Sequence, residues 1–550
     1  MAVKVPIGID SFDKLRAEEY YYVDKTDFIE ELLQKSFEVN LITRPRRFGK
    51  TLTMSMMASF FDVRKNSFRY FSGLNISRNT ELCKKWQNQW PVLYLTLKSV
   101  EGLTFENAYA MLSAVISDLC IAHYYLLDST SVNQIDKTIF ERLAQKTASL
   151  EEIKNSLYTL MRMMYAHYGK TVILLIDEYD VPLAQATEMY YYEEMLDVIR
   201  GLLGKTLKTN DFLKFAVVTG CLKIAQESIF TGANNFASDS IAGERFAEYF
   251  GFTSDEVKKL LSYTKLEMHA DEIRLWYDGY RFGSIDIYCP WDVLNHINRL
   301  QDSPLSRPEN YWKNTSHNGI VRSFINRTDL AVNEKFETLL AGGAIRENIC
   351  ENLTYDTLHS SEANLWSVLY LTGYLTMAET SASDKGIALK IPNEEIRSIF
   401  TDTVAAWFHD KVLTSDRSSL FDAFWGGNTQ SISEQISSIL FDTISYHDYK
   451  ESYYHAFVAG LFAGAGYIVE SNYEYGLGRP DIVIKDRVKR RVMILEIKHS
   501  KDEQHMIQDC KNGLQQIDMN EYAGKFLKGY RDIICYGMAF YEKDCLVCRQ

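Results

Sequence analysis

Short, almost uninterrupted apolar runs that end in charged or small residues mark the strands of this chain. Leu41-Ile42-Thr43 leads into a basic turn, Thr171 to Ile176 (TVILLI) ends at Asp177-Glu178, and Phe212 to Thr219 (FLKFAVVT) ends at Gly220-Cys221-Leu222-Lys223. Continuous runs of this kind belong to parallel strands covered on both faces by helices. Asp27 to Gln34 and Leu52 to Phe61 carry helical patterning, and Thr26 is placed to cap the first of these helices. Near the C-terminus, Tyr454 to Gly466 (YHAFVAGLFAGAG) predicts a buried helix ending in glycine. Two strands follow, DIVIK from Asp481 and VMILEIK from Val492 to Lys498, and then an amphipathic stretch from Cys510 to Tyr522. A helix-rich middle, residues 250–435, separates these two α/β ends. The polar run Thr414 to Ser419 and Gly426-Gly427-Asn428 are the expected breaks before the last domain.

The two C-terminal strands place chemistry as well as structure. Folded as a hairpin with its midpoint between Val488 and Lys489, they set Asp481 opposite Glu496, because the two are equally far from that midpoint. Glu496 and Lys498 are two residues apart and share a face, while His499 points to the other. One face then holds two carboxylates and a lysine, which suits a divalent cation and a water activated for attack on a phosphodiester. The bland alternative is a solvated hairpin face. Against it, Glu496 and Lys498 interrupt a strand that otherwise reads as buried, where charge is rare unless paired or liganded. Pro480, just before Asp481, is tolerated at a strand start.

The N-terminal pattern of strand, basic turn, Gly49-Lys50-Thr51 and helix reads as a P-loop. Backbone N–H groups at the helix start, with Arg46, Arg47 and Gly49 in the loop, would cradle phosphates. Lys50 would reach the β- and γ-phosphates, and the Thr51 hydroxyl would hold Mg²⁺. Asp177 is the expected second Mg²⁺ ligand and Glu178 the residue that polarises an attacking water, which makes ATP and Mg²⁺ the expected cofactors. Arg44 stands where the usual pattern has its first glycine. Thr219 and Lys223 are read either as γ-phosphate sensors or as solvated loop residues.

Composition bounds these readings. With 550 residues the chain implies about three domains. It is 46% hydrophobic and 24% charged, with 35 Tyr and 29 Phe, so it is globular and not disordered. A net charge of −13 excludes a general nucleic-acid coat, and any such contact must come from local patches. Two basic patches exist: Arg44, Arg46, Arg47 and Lys50 in the loop, and Lys485, Arg487, Lys489, Arg490 and Arg491 at the hairpin tip. The second is open between contact with a DNA or RNA backbone and a merely solubilising role. Nine scattered cysteines and no signal-like N-terminus point to a reducing cytoplasm. The lone Cys545/Cys548 pair is a poor zinc site. No apolar run reaches the roughly 20 residues that a membrane span needs.

The order helix, hairpin, helix around Asp481, Glu496 and Lys498 resembles the PD-(D/E)XK nuclease superfamily. There the Asp and Glu bind the metal and the Lys positions the water. Glu451, and Gln515 or Gln516, are weaker matches to further polar positions of that superfamily. Over nearly its whole length the chain is similar to AAA-ATPase-like proteins of anaerobic bacteria that end in such a nuclease domain. The segments that carry this likeness are Tyr22-Val23-Asp24-Lys25-Thr26, Arg44 to Thr51, Ile176-Asp177-Glu178-Tyr179-Asp180, Glu227-Ser228-Ile229-Phe230, Trp276 to Gly283 and Tyr311 to Thr315. The Arg-Pro-Arg-Arg-Phe-Gly-Lys-Thr loop is itself usual in that family. Lys223 and Gln226 depart from its pattern, which has Arg and Lys there.

The resemblance implies an α/β chain. An AAA-like P-loop NTPase parallel sheet with helices spans 1–235, a helical lid region spans 236–435, and a restriction-endonuclease-like α/β domain spans 436–550. It further implies ATP-controlled cleavage of DNA or RNA, a nucleotide base near Asp24-Lys25-Thr26, and assembly as a homo-oligomer. Trp276 to Gly283, with its aromatics and Asp-Gly turn, reads as a packed turn that closes the lid over the sheet, with a binding loop as the alternative. The alternative function is a nucleotide-dependent switch whose nuclease-like domain binds nucleic acid or protein without cutting.

Overall fold

Val39–Thr43 (β1) and Val172–Asp177 (β3) are buried along their whole length, as strands with neighbours on both edges and helices on both faces must be. With Val92–Thr96 (β2), Leu213–Gly220 (β4) and Phe236–Asp239 (β5) they form one sheet of order β2-β3-β4-β1-β5. Every pairing in it is parallel. All five C-terminal ends therefore lie along one edge, where an open α/β sheet binds its ligands. This computed structural model describes residues 3–35, 37–223, 236–312, 335–336, 338–340, 342–353, 361–378, 386–401, 418–443, 451–471, 480–520, 522–527 and 529–549. The expectations placed on Gln226, on Glu227 to Phe230, on residues 313–315 and on 414–417 lie outside them. The chain divides into two compact units, Met1–Trp312 with Arg346–Glu395, and Lys313–Ile345 with Ile396–Gln550.

In the first unit Lys50–Phe61 (α1) follows β1 directly, so the loop between them sits at the ligand-binding edge. Among the described residues one helix, Phe105–Ala122 (α2), has the length and apolarity of a membrane span. Its buried residues Ala108, Leu112, Ile116 and Cys120 recur every fourth position, which is the stripe of a helix packed on a protein core. The region expected as a helical lid also contains a small antiparallel sheet. Its strands are Phe252–Thr253 (β6), Tyr280–Phe282 (β7) and Ile285–Tyr288 (β8), in the order β6-β8-β7, followed by Pro290–Asp302 (α3). Strands of two to four residues are too short to show a period of two, which is why the sequence pattern misses them. Trp276 to Gly283 is a packed turn, as expected: Tyr280 and Phe282 hold the Phe48 ring between them at 5.0 and 5.1 Å.

The second unit has Ile468–Ser471 (β9), Ile482–Asp486 (β10), Arg491–His499 (β11), Asp532–Tyr541 (β12) and Asp544–Arg549 (β13), hydrogen-bonded in that order. Only β11 and β12 are parallel. Parallel neighbours need a crossover, and Met506–Met519 (α5) supplies it. Glu451–Gly464 (α4) covers the opposite face, packing Tyr454, Val458, Leu461 and Phe462 on Ile482, Leu495 and Ile497. Ile517 of α5 packs with Val483, Val492 and Ile494. The strand pattern thus alternates between two helices, and the α5 face is the one that Glu496 and Lys498 share.

Helix α5 passes close over the sheet at Gly537 on β12. A Cβ there would stand 2.0 Å from the Cys510 carbonyl oxygen of α5. Gly537→Ala is therefore expected to destabilise the domain by about 1–3 kcal/mol, as overpacking does. Urea unfolding measures this, and an unchanged midpoint would show that α5 yields freely.

Candidate functional sites

Lys50 opens α1, and Gly49 before it lies at φ 83°, in the left-handed region where only glycine is unstrained. The turn aims the helix N-terminus and its free N–H groups at the sheet edge. Lys50 Nζ donates to the carbonyls of Arg44 and Pro45, both at 3.0 Å, and lies 3.6 Å from Cys221 Sγ. It spans the mouth of the loop, where a phosphate would replace those carbonyls as acceptor. From across the edge Asp177 accepts the Thr51 hydroxyl at 2.8 Å and the Thr219 hydroxyl at 2.6 Å. Burial pushes the Asp177 carboxyl above its usual value, while the two hydroxyls pull it down. Thr51 and Asp177, the two residues expected to hold Mg²⁺, are thus in direct contact. Glu178 follows at φ 52°, a strained value for a residue with a side chain. Thr219 meets the site through Asp177. Lys223 is half-buried beside it in sequence.

Asp180 and Tyr179 shape the facing loop, a role that sequence reasoning did not assign. Asp180 Oδ2 accepts the N–H groups of Cys221 and Leu222, each at 2.9 Å, and the Tyr179 hydroxyl donates to the Leu222 carbonyl at 2.9 Å. Thr26 is fully buried, and its hydroxyl donates to Asp24 at 2.6 Å and accepts from the Ile76 N–H at 3.2 Å. Asp24, Lys25, Asp27 and Asn75 line an open cleft of about 360 Å³ together with Tyr21 and Tyr249.

In the second unit the hairpin has the expected register. Ile482 pairs with Leu495 and Asp486 with Arg491, so Asp481 falls opposite Glu496. Asp481 Oδ2 accepts the Ile497 N–H at 2.8 Å, and its carbonyl is 2.7 Å from His455 Nε2 of α4. Glu496 is fully buried, and neither of its oxygens receives a well-formed hydrogen bond among the described residues. Lys498 Nζ lies 3.5 Å from Glu496 Oε2. Burial, and next the Asp481 charge beside it, push the Glu496 carboxyl up to about 8. Two adjoining carboxylates with so little compensating charge are a donor set suited to a divalent cation, with Asp481 and Glu496 to hold it. His499 stacks on Tyr454 of α4 at 6.0 Å, on the opposite face as expected.

Residues 6–230 match the family model AAA-ATPase_like, described as a predicted AAA-ATPase. Residues 449–550 match a family model of the PD-(D/E)XK nuclease superfamily. The chain joins an AAA-ATPase-like domain to a PD-(D/E)XK nuclease superfamily domain. A protein of Azotobacter chroococcum mcd 1, described as an uncharacterized protein in the vnfD 5′ region, is 24% identical to it. That alignment covers 98% of this chain and 96% of the other.

Within the AAA-ATPase-like domain two arginines of the loop are engaged by other parts of the same unit. Arg44, in the place of the first glycine, is fully buried. Its guanidinium donates to the carbonyls of Thr43 and Asp239, both at 2.9 Å, and of Arg245 at 3.1 Å, and lies over the Phe250 and Phe282 rings. Arg47, expected to bind phosphate, has its Nη1 donating to the Tyr311 carbonyl at 2.7 Å and its guanidinium over Trp291 and Trp312. Arg46 is half-buried near Cys221, whose thiol it influences, on the side of Lys50.

In the PD-(D/E)XK domain the basic hairpin tip is smaller than its five residues suggested. Lys485 pairs with Glu470 at 2.6 Å, and Arg491 pairs with Asp486 at 2.9 Å and stacks on Trp425. Arg487, Lys489 and Arg490 are exposed. Glu451 is the first residue of α4, and its side chain is outside the described residues, as are Gly478 and Arg479. Gln515 is exposed and Gln516 half-buried on α5, whose buried stripe is Met506, Cys510, Gly513 and Ile517.

Restoring the usual glycine with Arg44→Gly is expected to destabilise the chain by about 3–5 kcal/mol, because it leaves a cavity and three buried carbonyls without their donor. Thermal unfolding reads this, and a neutral result would show that the loop does not depend on Arg44. Glu496→Gln is expected to stabilise the metal-free protein. A carboxyl raised in the folded state costs stability as pH climbs from its unfolded value near 4.3 to about 8. The difference between variant and wild type should therefore grow across that window to on the order of 2–4 kcal/mol and then level off. Melting in EDTA at stepped pH measures it, and a flat difference would contradict the burial argument.

Proposed function

We propose that this chain is an ATP-binding protein whose C-terminal domain cuts nucleic-acid phosphodiesters. The observation that carries the nuclease half is the fully buried Glu496 beside Asp481, with neither oxygen well hydrogen-bonded. A cation bound there would polarise a phosphoryl oxygen and acidify a water. Asp481 and Glu496 hold the cation, and the Ile497 N–H fixes the Asp481 carboxylate in place. Lys498, on the same face, orients the water and carries positive charge toward the phosphate as attack adds negative charge. Arg487, Lys489 and Arg490 offer a small exposed basic tip for the DNA or RNA backbone.

For the ATPase half, Lys50 binds the β- and γ-phosphates, Thr51 and Asp177 share Mg²⁺, and Glu178 polarises the attacking water. The contact of Thr51 with Asp177 supports this, since it brings the two Mg²⁺ ligands together across the sheet. ATP occupancy acts on the nuclease as a control.

Cleavage of single- and double-stranded DNA and RNA in Mg²⁺ or Mn²⁺ is expected for the wild type and lost in Asp481→Ala and in Lys498→Ala. Cutting that survives both substitutions would sink the nuclease. Nucleic-acid binding without cutting by the wild type would move the domain to the switch reading. ATP binding is expected to be lost in Lys50→Ala, and unchanged affinity in that variant would reject the phosphate site.

A further inference from the structure

Asp481 lies just beyond the paired part of β10. Among the described residues the ladders of β10 with β9 and with β11 both end at Ile482, which pairs with Ser471 on one side and Leu495 on the other. Pro480, before Asp481, has no N–H with which to add a rung. A carboxylate at a strand end swings with its backbone unless other groups hold it, and two do. Asp481 Oδ2 accepts the Ile497 N–H at 2.8 Å, and the Asp481 carbonyl oxygen lies 2.7 Å from His455 Nε2. A carbonyl can only accept, so Nε2 carries the hydrogen and donates it. The first bond ties the carboxylate to β11, the strand of Glu496. The second ties the peptide to α4, the helix on the other face of the sheet.

The place of His455 is itself fixed. Tyr454 beside it is fully buried, stacks on Phe540 at 4.4 Å and donates its hydroxyl to the Glu542 carbonyl at 2.8 Å. Further along α4, Val458, Leu461 and Phe462 pack on the sheet. The half-buried His455 is thus carried to Asp481 by a helix anchored on both sides of it.

We propose that His455 is a positioning residue of the cation site, whose hydrogen bond to the Asp481 carbonyl sets the Asp481 carboxylate against Glu496 for a shared divalent cation. Without that bond an arriving cation must itself order Asp481, and the cost of ordering is taken from its affinity. Groups that orient metal ligands in this way commonly contribute about ten- to a hundredfold in affinity. His455 acts through Asp481, because the nitrogen that faces this residue is taken up by its carbonyl.

This inference rests on the cation site read above and not on cleavage. Its test is Mn²⁺ binding to the full chain by calorimetry without nucleotide, with Asp481→Ala as the reference that defines the site. His455→Phe keeps a ring and removes the donor, and should weaken Mn²⁺ by about tenfold or more. His455→Gln offers an amide N–H to the same carbonyl and should recover most of the affinity. His455→Leu takes the place of His455→Phe should the latter fold poorly. Hydrogen exchange at the Ile497 N–H in EDTA reads the same positioning with no metal present, and should be faster in His455→Phe and as in the wild type in His455→Gln. Unchanged Mn²⁺ affinity or unchanged exchange in His455→Phe, or a loss that His455→Gln does not recover, would overturn the positioning role while leaving the cation site standing. Absence of Asp481-dependent Mn²⁺ binding by the wild type would instead remove the cation site and this role with it.

Discussion

The phosphate loop is held in shape by three of its own side chains. Arg44 is buried under backbone carbonyls, Phe48 is wedged between Tyr280 and Phe282, and Arg47 is bound against α3 and Tyr311. A glycine-rich loop gains its tight turn from freedom at φ and loses more entropy when it is ordered. Here the order is built in, and its cost is met by burying large groups whose polar atoms are mostly matched. Everything else at the sheet edge is arranged around this fixed loop: Lys50 spans its mouth, and Thr51 reaches Asp177.

The two sites treat a buried carboxylate in opposite ways. Asp177 accepts two hydroxyls and is largely satisfied before any ion arrives. Glu496 has a second carboxylate beside it and a lysine only at 3.5 Å. The first site is assembled in advance, and the second stores repulsion that a cation would relieve. Similar residue types therefore give a poised nucleotide site and a cation-hungry hairpin.

Five strands, β1, β3, β4, β10 and β11, were legible because they depend on local periodicity, whereas β2, β5, β9, β12 and β13 were not read from the sequence. The C-terminal register followed from the spacing of DIVIK and VMILEIK, since a period of two leaves no freedom once the midpoint is chosen. Lys50, Thr51 and Asp177 were legible because their spacing from strand ends is itself the signal. The arginines were not. Arg47 and Tyr311 are separated by 264 positions and Arg44 and Asp239 by 195, and no local pattern says that a loop arginine turns inward to meet them. The tip lysine and arginine were overcounted for a related reason, because Glu470 and Trp425 lie on other elements.

Asp481, Glu496 and Lys498 all come from a single hairpin, so their relative positions need only one short loop to close. Lys50 at the start of α1, Asp177 at the end of β3 and Thr219 on β4 must be gathered across long crossovers. The face that carries Asp481, Glu496 and Lys498 can thus be nearly complete early in folding, before α5 has crossed over to deliver β12. The nucleotide site is complete only once distant parts of its unit have met. In a chain that grows from its N-terminus, the slower-forming site is also the one made first.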